Sequence, residues 1–523
     1  MVAVWAISAT ARPDATHRHD SMKSPHGAMY IEIHTGVKRM ARRSVSTFLL
    51  MLLCMLVGAS ESRGQTPPQA PPGNSPDSAS LSQIETEAVN WLQGLIRINT
   101  TNPPGNELAA AKYLANILKQ EGIPSEIFES APGRGFIVAR LSARAMPDPS
   151  RALLLMGHID TVGVDKAKWT VDPFTATIKG NYLYGRGAFD DKGMTVANLA
   201  TLIALKRSGA RLSRDVIFLA EGDEENGGQY GMKCAVDEHW DKIAAGYAIN
   251  EDGVVIESNG KVQYVGIQAS EKVPVNVDIV ARGTSGHASI PLKDNPVVHL
   301  AAAIAKIGAF ETPVQLNSVT RGYFEGLASV EDEDTGKWMR ALETSDRGDH
   351  AARWLSNANP VWNSMLRDTI SPTMLQAGIR QNVIPPEARA VLNIRLLPGN
   401  TIEPLLSKLQ QAVNDPEISF EPEPNAGDAA PSSSLTSDLY NTIASVAKRE
   451  FPGAAVVPQM STGATDSTPL RLRNVQAYGL LPFPMTEEDL ARKHGNDERI
   501  PLDSFQKGIE FLYSVVTDFA VAK

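Results

Sequence analysis

Apolar residues between positions 83 and 267 follow two alternating patterns. Short, almost continuous apolar runs cover 152–160 (ALLLMGHID) and 215–224 (DVIFLAEGDE), as in strands buried on both faces. Longer stretches with helical spacing predict helices at 83–97, 107–121 and 193–209. Strands that alternate with helices in this way indicate a parallel sheet covered by helices on both faces.

A different pattern begins near residue 268. The segment 273–283 (VPVNVDIVARG) alternates apolar and polar residues, as a strand with one exposed face does. The elements predicted after it are a helix at 295–310, a strand at 388–399, a helix at 401–413 and a strand at 417–423. The chain then returns to the first pattern and ends in a predicted helix at 502–520.

These patterns predict an α/β fold, in which a mostly parallel sheet flanked by helices carries an inserted α+β domain. We assign 83–267 and 425–523 to the first domain and 268–424 to the insert. The stretch 312–377 contains three tryptophans and is too long for a simple loop. We expect it to form a helical insertion near the junction of the two domains.

Residues 40–64 have the organisation of a secretory signal peptide. Arg42 and Arg43 precede an apolar run at 47–59, which is shorter than the roughly 20 residues needed to cross a bilayer, and a cleavage site precedes Ser60. An uncleaved membrane anchor is the alternative, and a twin-arginine signal fits the flanking residues poorly. We therefore expect a periplasmic or secreted protein with no stable membrane span after cleavage.

Two further segments flank this signal. Residues 1–39 are irregular and rich in His, Arg and Ser, and we interpret them as an upstream misannotation with Met40 as the true start. Residues 65–82 are rich in proline and polar residues and predict a linker.

Composition argues against some partners and some kinds of metal site. The 523 residues carry a formal net charge of −9, which disfavours nucleic acid as a partner because phosphate binding needs a basic surface. Cys54 lies inside the predicted signal, so that the mature protein would keep only Cys234 and could form no internal disulfide. Any metal would therefore be held by His, Asp and Glu.

Short polar segments with metal-ligand residues recur along the chain, and three of them follow predicted strands. They are GHIDT (157–161), GRGAFDDKGM (185–194), EGDEENGG (221–228), AINEDG (248–253) and RKHGNDERI (492–500). In open α/β sheets, sites form at the carboxyl ends of strands, so we expect these segments to meet there. Together they can hold two divalent cations with a water between them.

The first two segments each allow a second interpretation. Residues i and i+2 of a strand point to the same side, so Asp160 can lie beside His158 and fix its ring. A buried strand-end histidine with an aspartate cap is the alternative. Asp190 can bridge two cations with one oxygen each, but Asp190 or Asp191 could equally cap the helix that follows.

The remaining segments supply a base and further ligands. As adjacent buried carboxylates, Glu224 and Glu225 would repel each other, and bound cations would offset the free energy of this repulsion. A solvated loop is the alternative. We assign Glu224 as the general base and Glu225 as a ligand. Glu251 or its neighbour Asp252 is the fourth-segment ligand. His494 is a ligand or, alternatively, an exposed loop histidine.

Together with TSGHAS (284–289) and NVIPPEARAVLNIRLLPG (382–399), these segments resemble a zinc metallopeptidase family. The family includes aminoacylase, carboxypeptidase G, carboxypeptidase S and succinyl-diaminopimelate desuccinylase, and the resemblance covers nearly all of 85–523. The branch of carboxypeptidase S and N-acyl amino acid hydrolases is the most similar. The resemblance implies a catalytic domain with two zinc ions, which cobalt or manganese could replace, and a small lid domain.

The resemblance also implies a role for each matching residue. Asp190 bridges the metals, His158 and Glu251 bind one, Glu225 and His494 bind the other, Asp160 orients His158, and Glu224 is the base. A lid histidine, His287, stabilises the substrate oxyanion from a partner subunit of a homodimer formed through the lid. The residues that hold a substrate carboxylate are Asn382, Arg395 and Gly463. Two positions depart from the family pattern: Asp252 replaces a glycine, and Thr468 replaces an arginine.

The sequence thus predicts a metal-dependent hydrolase of an amide or peptide bond next to a free carboxylate. An exo-acting carboxypeptidase or dipeptidase and an N-acyl amino acid amidohydrolase both fit, each with a small peptide or N-acyl amino acid substrate. A serine hydrolase is a rival, but Ser285 and Ser289 lack the flanking glycines of a nucleophile elbow. A non-catalytic periplasmic binding protein on the same fold is the second rival, although every expected ligand is present.

Overall fold

The computed structural model describes residues 78–143, 148–344, 346–424 and 429–522. The predicted signal peptide, the segment before it and residues 65–77 of the predicted linker lie outside this range. The first helix begins at Ser78, so the prediction of a linker up to residue 82 is wrong for its last five residues. No helix of the described ranges is both long enough and apolar enough to cross a membrane.

A ten-stranded sheet forms the centre of the described chain, in the order β1-β2-β6-β3-β7-β17-β9-β8-β18, with β16 also paired to β9. Its strands are β1 (Ser125–Ala131), β2 (Arg134–Leu141), β3 (Leu153–His158), β6 (Val216–Glu221), β7 (Tyr247–Asn250), β8 (Val254–Ser258), β9 (Lys261–Glu271), β16 (Ala455–Ser461), β17 (Gln476–Gly479) and β18 (Pro484–Met485). Neighbouring strands β6, β3, β7 and β17 run parallel. Antiparallel pairs lie towards both edges, including β1 with β2 and β8 with β9.

Helices cover both faces of this sheet, as the continuous apolar runs predicted. Leu153 and Leu155 of β3 pack into one hydrophobic core, whereas Leu154 and Met156 pack into another on the opposite face. The helices of the central domain are α1 (Ser78–Ile96), α2 (Glu107–Gln120), α3 (Lys192–Arg207), α4 (Met232–Glu238), α5 (Trp240–Ile243), α12 (Asp438–Glu450), α13 (Ser467–Leu472), α14 (Glu487–Leu490) and α15 (Leu502–Ala520). The predicted α/β class, with a mostly parallel sheet flanked by helices, is confirmed.

Three smaller groups of strands accompany the central sheet. A four-stranded antiparallel sheet has the order β12-β14-β10-β15 and is covered by α6 (Pro296–Gly308) and α11 (Ile402–Val413). The remaining strands are β10 (Val273–Arg282), β12 (Thr369–Ala377), β14 (Glu387–Leu396) and β15 (Ile418–Pro422) in that sheet, β11 (Gly286–His287) and β13 (Val383–Ile384) in a ribbon, and β4 (Thr177–Lys179), β5 (Tyr182–Tyr184) and β19 (Arg499–Pro501) in a third group. The chain passes from the central sheet to the four-stranded sheet at Lys272, between β9 and β10.

The stretch predicted as a helical insertion is helical only in part. Its helices are α7 (Ser318–Leu327), α8 (Glu333–Ala341), α9 (Gly348–Ala358) and α10 (Pro360–Leu366). Residues 369–377 instead form β12, so the helical prediction is wrong there. This segment pairs along its length with β14, and the pairing outweighs its weak local pattern.

The helical part packs against the central sheet. Gly322 and Gly326 of α7 lie so close to β16 that a Cβ atom would stand 2.8 Å from Pro458 Cγ and 2.5 Å from Val457 Cγ1. Phe324 and Leu355 of the insertion belong to the same hydrophobic core as α3 and α15. The insertion therefore extends the central domain rather than the smaller sheet.

A buried guanidinium, that of Arg471, joins α13 to the central sheet. Arg471 of α13 donates to Glu271 Oε1 (3.1 Å), Gln268 Oε1 (2.6 Å) and the carbonyl oxygen of Ala477 (2.9 Å). These partners lie on β9 and β17, which are neighbours in the central sheet. Since a buried charge needs a partner, the Arg471 contacts fix α13 on the sheet.

We expect Arg471→Met to lower the free energy of unfolding by about 3–5 kcal/mol, because it leaves the buried Glu271 carboxylate without its cation. Arg473→Met is the matched control: its ion pair with Asp237, at 3.7 Å, is exposed, and its loss should cost about 1 kcal/mol or less. Denaturant unfolding followed by circular dichroism measures both. Equal losses in the two variants would contradict a structural role for Arg471.

Candidate metal centre

The carboxyl ends of three adjacent strands bring the first site residues together. His158 is the last residue of β3, Glu224 and Glu225 lie in a short 3₁₀ turn just after β6, and Glu251 follows β7 directly. Because β6, β3 and β7 are parallel neighbours, these ends meet at one edge of the sheet. Asp190 reaches the same edge from the loop before α3.

The side chains converge on two overlapping groups. Ligand atoms of His158, Asp190 and Glu251 lie within 4.8 Å of one another, and so do those of Asp190, Glu225 and His494. His158 and Glu225 also group with Glu224 in the same way. The five residues predicted as ligands, together with the predicted base, are therefore brought into one cluster.

Asp190 is the member common to the two ligand groups. Its Oδ1 atom lies 3.4 Å from His158 Nε2, and its Oδ2 atom lies 2.7 Å from His494 Nε2. His494 Nε2 is also 2.9 Å from Glu225 Oε1. Each oxygen of one carboxylate thus faces a different imidazole, so that each oxygen would share a cation with a different histidine if the carboxylate bridged two cations.

The cluster fits a pair of divalent cations. Two imidazoles and three carboxylates are donors that zinc, cobalt and manganese accept. Among the described residues, His158 Nε2 is buried and makes no hydrogen bond. Burial and the charge of Glu251 raise the pKa of Glu224 well above its usual range, and burial and Asp190 raise the pKa of Glu225. Carboxylates that repel one another in this way are stabilised by a cation.

Asp160 holds His158 and the turn of Glu224 in one arrangement. Its Oδ1 atom lies 3.3 Å from His158 Nδ1, and its two oxygens accept the backbone N–H groups of Glu224 and Glu225 at 3.3 Å each. Burial opposes the ionised form, yet the contacts with His158 and with Asn102 lower the pKa of Asp160. A carboxylate so placed can orient the imidazole.

A buried polar chain that the sequence analysis missed supports Asp160. Asn102 donates through Nδ2 to Asp160 Oδ2 (2.8 Å) and to Asp223 Oδ1 (2.9 Å). Arg134 binds the same Asp223 oxygen at 2.8 Å and pairs with Glu107 at 2.6 Å. The sequence signal for this chain is weak, because its members lie far apart and belong to no shared motif.

Two of the alternative interpretations are wrong. Asp191 occupies the N-cap position of α3 but its side chain makes no capping hydrogen bond; instead it accepts the backbone N–H of His158 at 3.2 Å. His494 is half-buried between Asp190 and Glu225 and is not an exposed loop histidine. Glu251 belongs to a ligand group and Asp252 to none among the described residues, which favours Glu251 as the fourth-segment ligand.

A second missed pair joins the segments of Asp190 and His494. Arg186 binds Glu498 at 2.6 Å and also donates to the carbonyl oxygens of His494 (3.3 Å) and Gly495 (3.0 Å). The Glu498 carboxylate accepts the backbone N–H of Asp190 at 3.1 Å. Arg186 and Glu498 both lie within motifs quoted in the sequence analysis. Their position in the chain, close to ligand residues, is the signal that could have identified them.

A cavity of about 620 Å³ adjoins the cluster. Glu224, Glu225, Arg395 and Gly463 line it, together with apolar residues such as Val273 and Leu472. Thr468, which stands where relatives were expected to have arginine, also lines the cavity and donates to Glu271. Two of the three residues predicted to bind a substrate carboxylate therefore face the same space as the predicted base.

His287 and Asn382 lie elsewhere in the chain. His287 is on β11 and exposed, and the carbonyl oxygen of Asn382 accepts the backbone N–H of Ala288 at 3.1 Å. Neither lines the cavity formed by this single chain. Asn382 directly precedes β13, so the two residues lie close to each other at the β11–β13 ribbon, outside the metal-ligand cluster.

One further group of ligand-type residues includes cysteine, which sequence spacing did not suggest. Cys234, Glu238 and His239 lie within 4.8 Å of one another at α4. The ring of His239 packs on Phe128, with centroids 4.3 Å apart, and burial raises the pKa of the Cys234 thiol. Glu238 is exposed, His239 is half-buried, and none of the three residues lines the cavity beside the metal-ligand cluster.

Known proteins resemble this chain over most of its described length. The model of peptidase family M20/M25/M40 matches residues 154–518. The chain is 27% identical to the probable carboxypeptidase S-like 2 of Dictyostelium discoideum, over 71% of this chain and 72% of the relative. It is also 27% identical to the N-fatty-acyl-amino acid synthase/hydrolase PM20D1 of Homo sapiens, over 91% of this chain and 97% of the relative.

A solved structure shares the fold. The M20 family metallo-carboxypeptidase Sso-CP2 from Sulfolobus solfataricus superimposes with a TM-score of 0.62 and 21% identity, covering 83% of this chain and 99% of that protein. The match of the family model covers more than half of the chain, and the whole ligand cluster lies within it. The chain therefore belongs to peptidase family M20/M25/M40 and is a metal-dependent hydrolase of peptide or amide bonds.

Proposed function

We propose that this chain hydrolyses an amide or peptide bond next to a free carboxylate, with two divalent cations. His158 and Glu251 would hold one cation, Glu225 and His494 the other, and Asp190 would bridge them. The observation that carries the proposal is the Asp190 carboxylate, whose two oxygens face His158 and His494 separately. Nothing in the comparisons favours the rival of a non-catalytic binding protein.

Zinc is the cation we propose, and cobalt or manganese would fit the same oxygen and nitrogen donors. When bound, such a pair lowers the pKa of a shared water and polarises the scissile carbonyl. The protein must then supply a group that accepts and returns a proton, and a group that positions the substrate.

Glu224 is the group we propose for proton transfer. It lines the cavity beside Glu225 and is grouped with His158, but it belongs to neither group that contains Asp190. Its carboxylate, held by neither of the proposed cation sites, can accept a proton from water and return that proton to the leaving amine nitrogen.

We expect Glu224→Gln to lower kcat by about 10²–10⁴-fold while leaving the metal content unchanged, because the amide keeps the shape of the side chain and removes its basicity. Steady-state kinetics and elemental analysis of the same sample measure the two quantities. Glu257→Gln on β8, outside the ligand groups and the cavity lining, is the control. Full turnover in Glu224→Gln would rule out this residue as the base.

Arg395 is the group we propose for substrate positioning. It lies on β14, faces the cavity that Glu224 and Gly463 also line, and has a guanidinium fork suited to a carboxylate. Apolar lining from residues such as Pro274 and Leu472 suits an acyl chain or an apolar side chain. N-acyl amino acids, which the name of the human relative also mentions, are therefore the substrates we propose, with dipeptides second.

We expect Arg395→Met to raise KM for an N-acyl amino acid by about 10–100-fold, because a charged hydrogen-bonded contact is lost. KM for the corresponding amide, which lacks the carboxylate, should stay the same. Arg389→Met is the matched control, since Arg389 lies on the same strand but pairs with Glu387 and Asp278 at the surface. An equal rise in KM for acid and amide would show that Arg395 does not recognise the carboxylate.

We further propose that His287 completes the site of a second copy of the chain. His287 is exposed and outside the cavity of its own chain. Strand β12 lies at the edge of the four-stranded sheet and exposes Met374 (55%) and Leu375 (61%), a surface that another copy could cover.

Mixing two inactive variants, His287→Ala and Glu224→Gln, should restore up to about a quarter of the wild-type activity per site, because random exchange gives mixed dimers with one intact site. Activity before and after subunit exchange, together with the mass in solution, measures this. A variant pair that forms dimers but recovers no activity would place His287 outside the partner's site.

A further inference from the structure

Lys493 carries a positive charge into the ligand cluster. It directly precedes His494, and its side chain is 13% exposed. Its Nζ atom lies 3.1 Å from Asp190 Oδ1 and donates to Glu251 Oε2 at 3.3 Å. Both oxygens belong to the group of His158, Asp190 and Glu251, so this ammonium faces one of the two ligand groups.

We propose that Lys493 is a positioning residue that makes the two cation sites unequal, by weakening the site of His158 and Glu251 relative to that of Glu225 and His494. The inference rests on the proposed function of the same cluster. It predicts that the two cations bind in order, with the Glu225 and His494 site filled first.

The charge of Lys493 acts at one side of Asp190. Oδ1 of this carboxylate faces His158 and Lys493, whereas Oδ2 faces His494. An ammonium is a donor without a free lone pair, so it cannot become a ligand while it is charged. It therefore repels a divalent cation on its own side and competes with that cation for two of its carboxylate oxygens.

The same contacts explain why such a residue would be useful. Asp190 and Glu251 are buried carboxylates, and buried charges without partners are strongly destabilising. Lys493 pairs with both of them, so the ligands stay assembled when cations are scarce. Lys493 would thus weaken the binding of the second cation, and it would keep the ligands of that site close together before the cation binds.

The test is the binding of Zn²⁺ to the full chain, measured against a competing chelator. We expect two unequal dissociation constants for the wild type, and we expect Glu251→Gln to remove the weaker one. Lys493→Met, which has a similar length and no charge, should tighten the weaker constant at least about tenfold and the stronger one by less. Lys493→Arg should keep the inequality, and Lys233→Met, which removes an exposed cation of the cavity lining, should change neither constant.

A second measurement does not require that each dissociation constant be assigned to one of the two cation sites. Metal-free Lys493→Met should unfold at a lower temperature than the metal-free wild type and gain more from added Zn²⁺, since ligand binding stabilises by mass action. Lys493→Gln, a second neutral variant, should behave like Lys493→Met. An unchanged weaker constant in both neutral variants, or an equal tightening of both constants, would overturn the role of Lys493. A wild type that binds fewer than two Zn²⁺ ions would instead overturn the proposed function.

Discussion

The contact between one carboxylate and two imidazoles organises this molecule. Asp190 reaches His158 at 3.4 Å and His494 at 2.7 Å, and these residues come from segments that lie far apart in the chain. The ends of the parallel strands β3, β6 and β7 position His158, Glu225 and Glu251. The loop before α3 positions Asp190, and the loop before β19 positions His494. The Arg186–Glu498 pair joins these two loops through hydrogen bonds with the backbone of Asp190 and of His494.

The site concentrates negative charge where burial makes charge costly. Glu224, Glu225, Glu251 and Asp190 share one small volume, and burial raises the pKa of the first two. Hydrogen bonds from Asn102 and from the backbone lower the pKa of Asp160, which therefore stays ionised. Its carboxylate neighbours in the cluster have fewer hydrogen-bond partners. Divalent cations would balance this charge, and in their absence the ammonium of Lys493 balances part of it at Asp190 and Glu251.

Much of this could be predicted from the sequence, for physical reasons that are specific to each element. The apolar runs of β3 and β6 predicted a sheet covered on both faces, and the strand-end rule predicted that His158, Glu225 and Glu251 would meet. Local pattern could not predict β12, because its exposed residues are held by pairing with β14. It could not reveal Lys493 or Asn102 either, since their partners are set by tertiary structure alone. The sequence also could not predict that His287 and Asn382 lie outside the cavity, because their position is set by the fold of the segments around β11 and β13.

Anomalous diffraction from crystals grown with excess Zn²⁺ would show whether the ligand cluster holds two cations and whether Asp190 joins them. We expect two peaks roughly 3.5–4 Å apart on either side of the Asp190 carboxylate, one reached by His158 and Glu251 and the other by Glu225 and His494. A single peak, or two peaks that Asp190 does not join, would contradict this expectation.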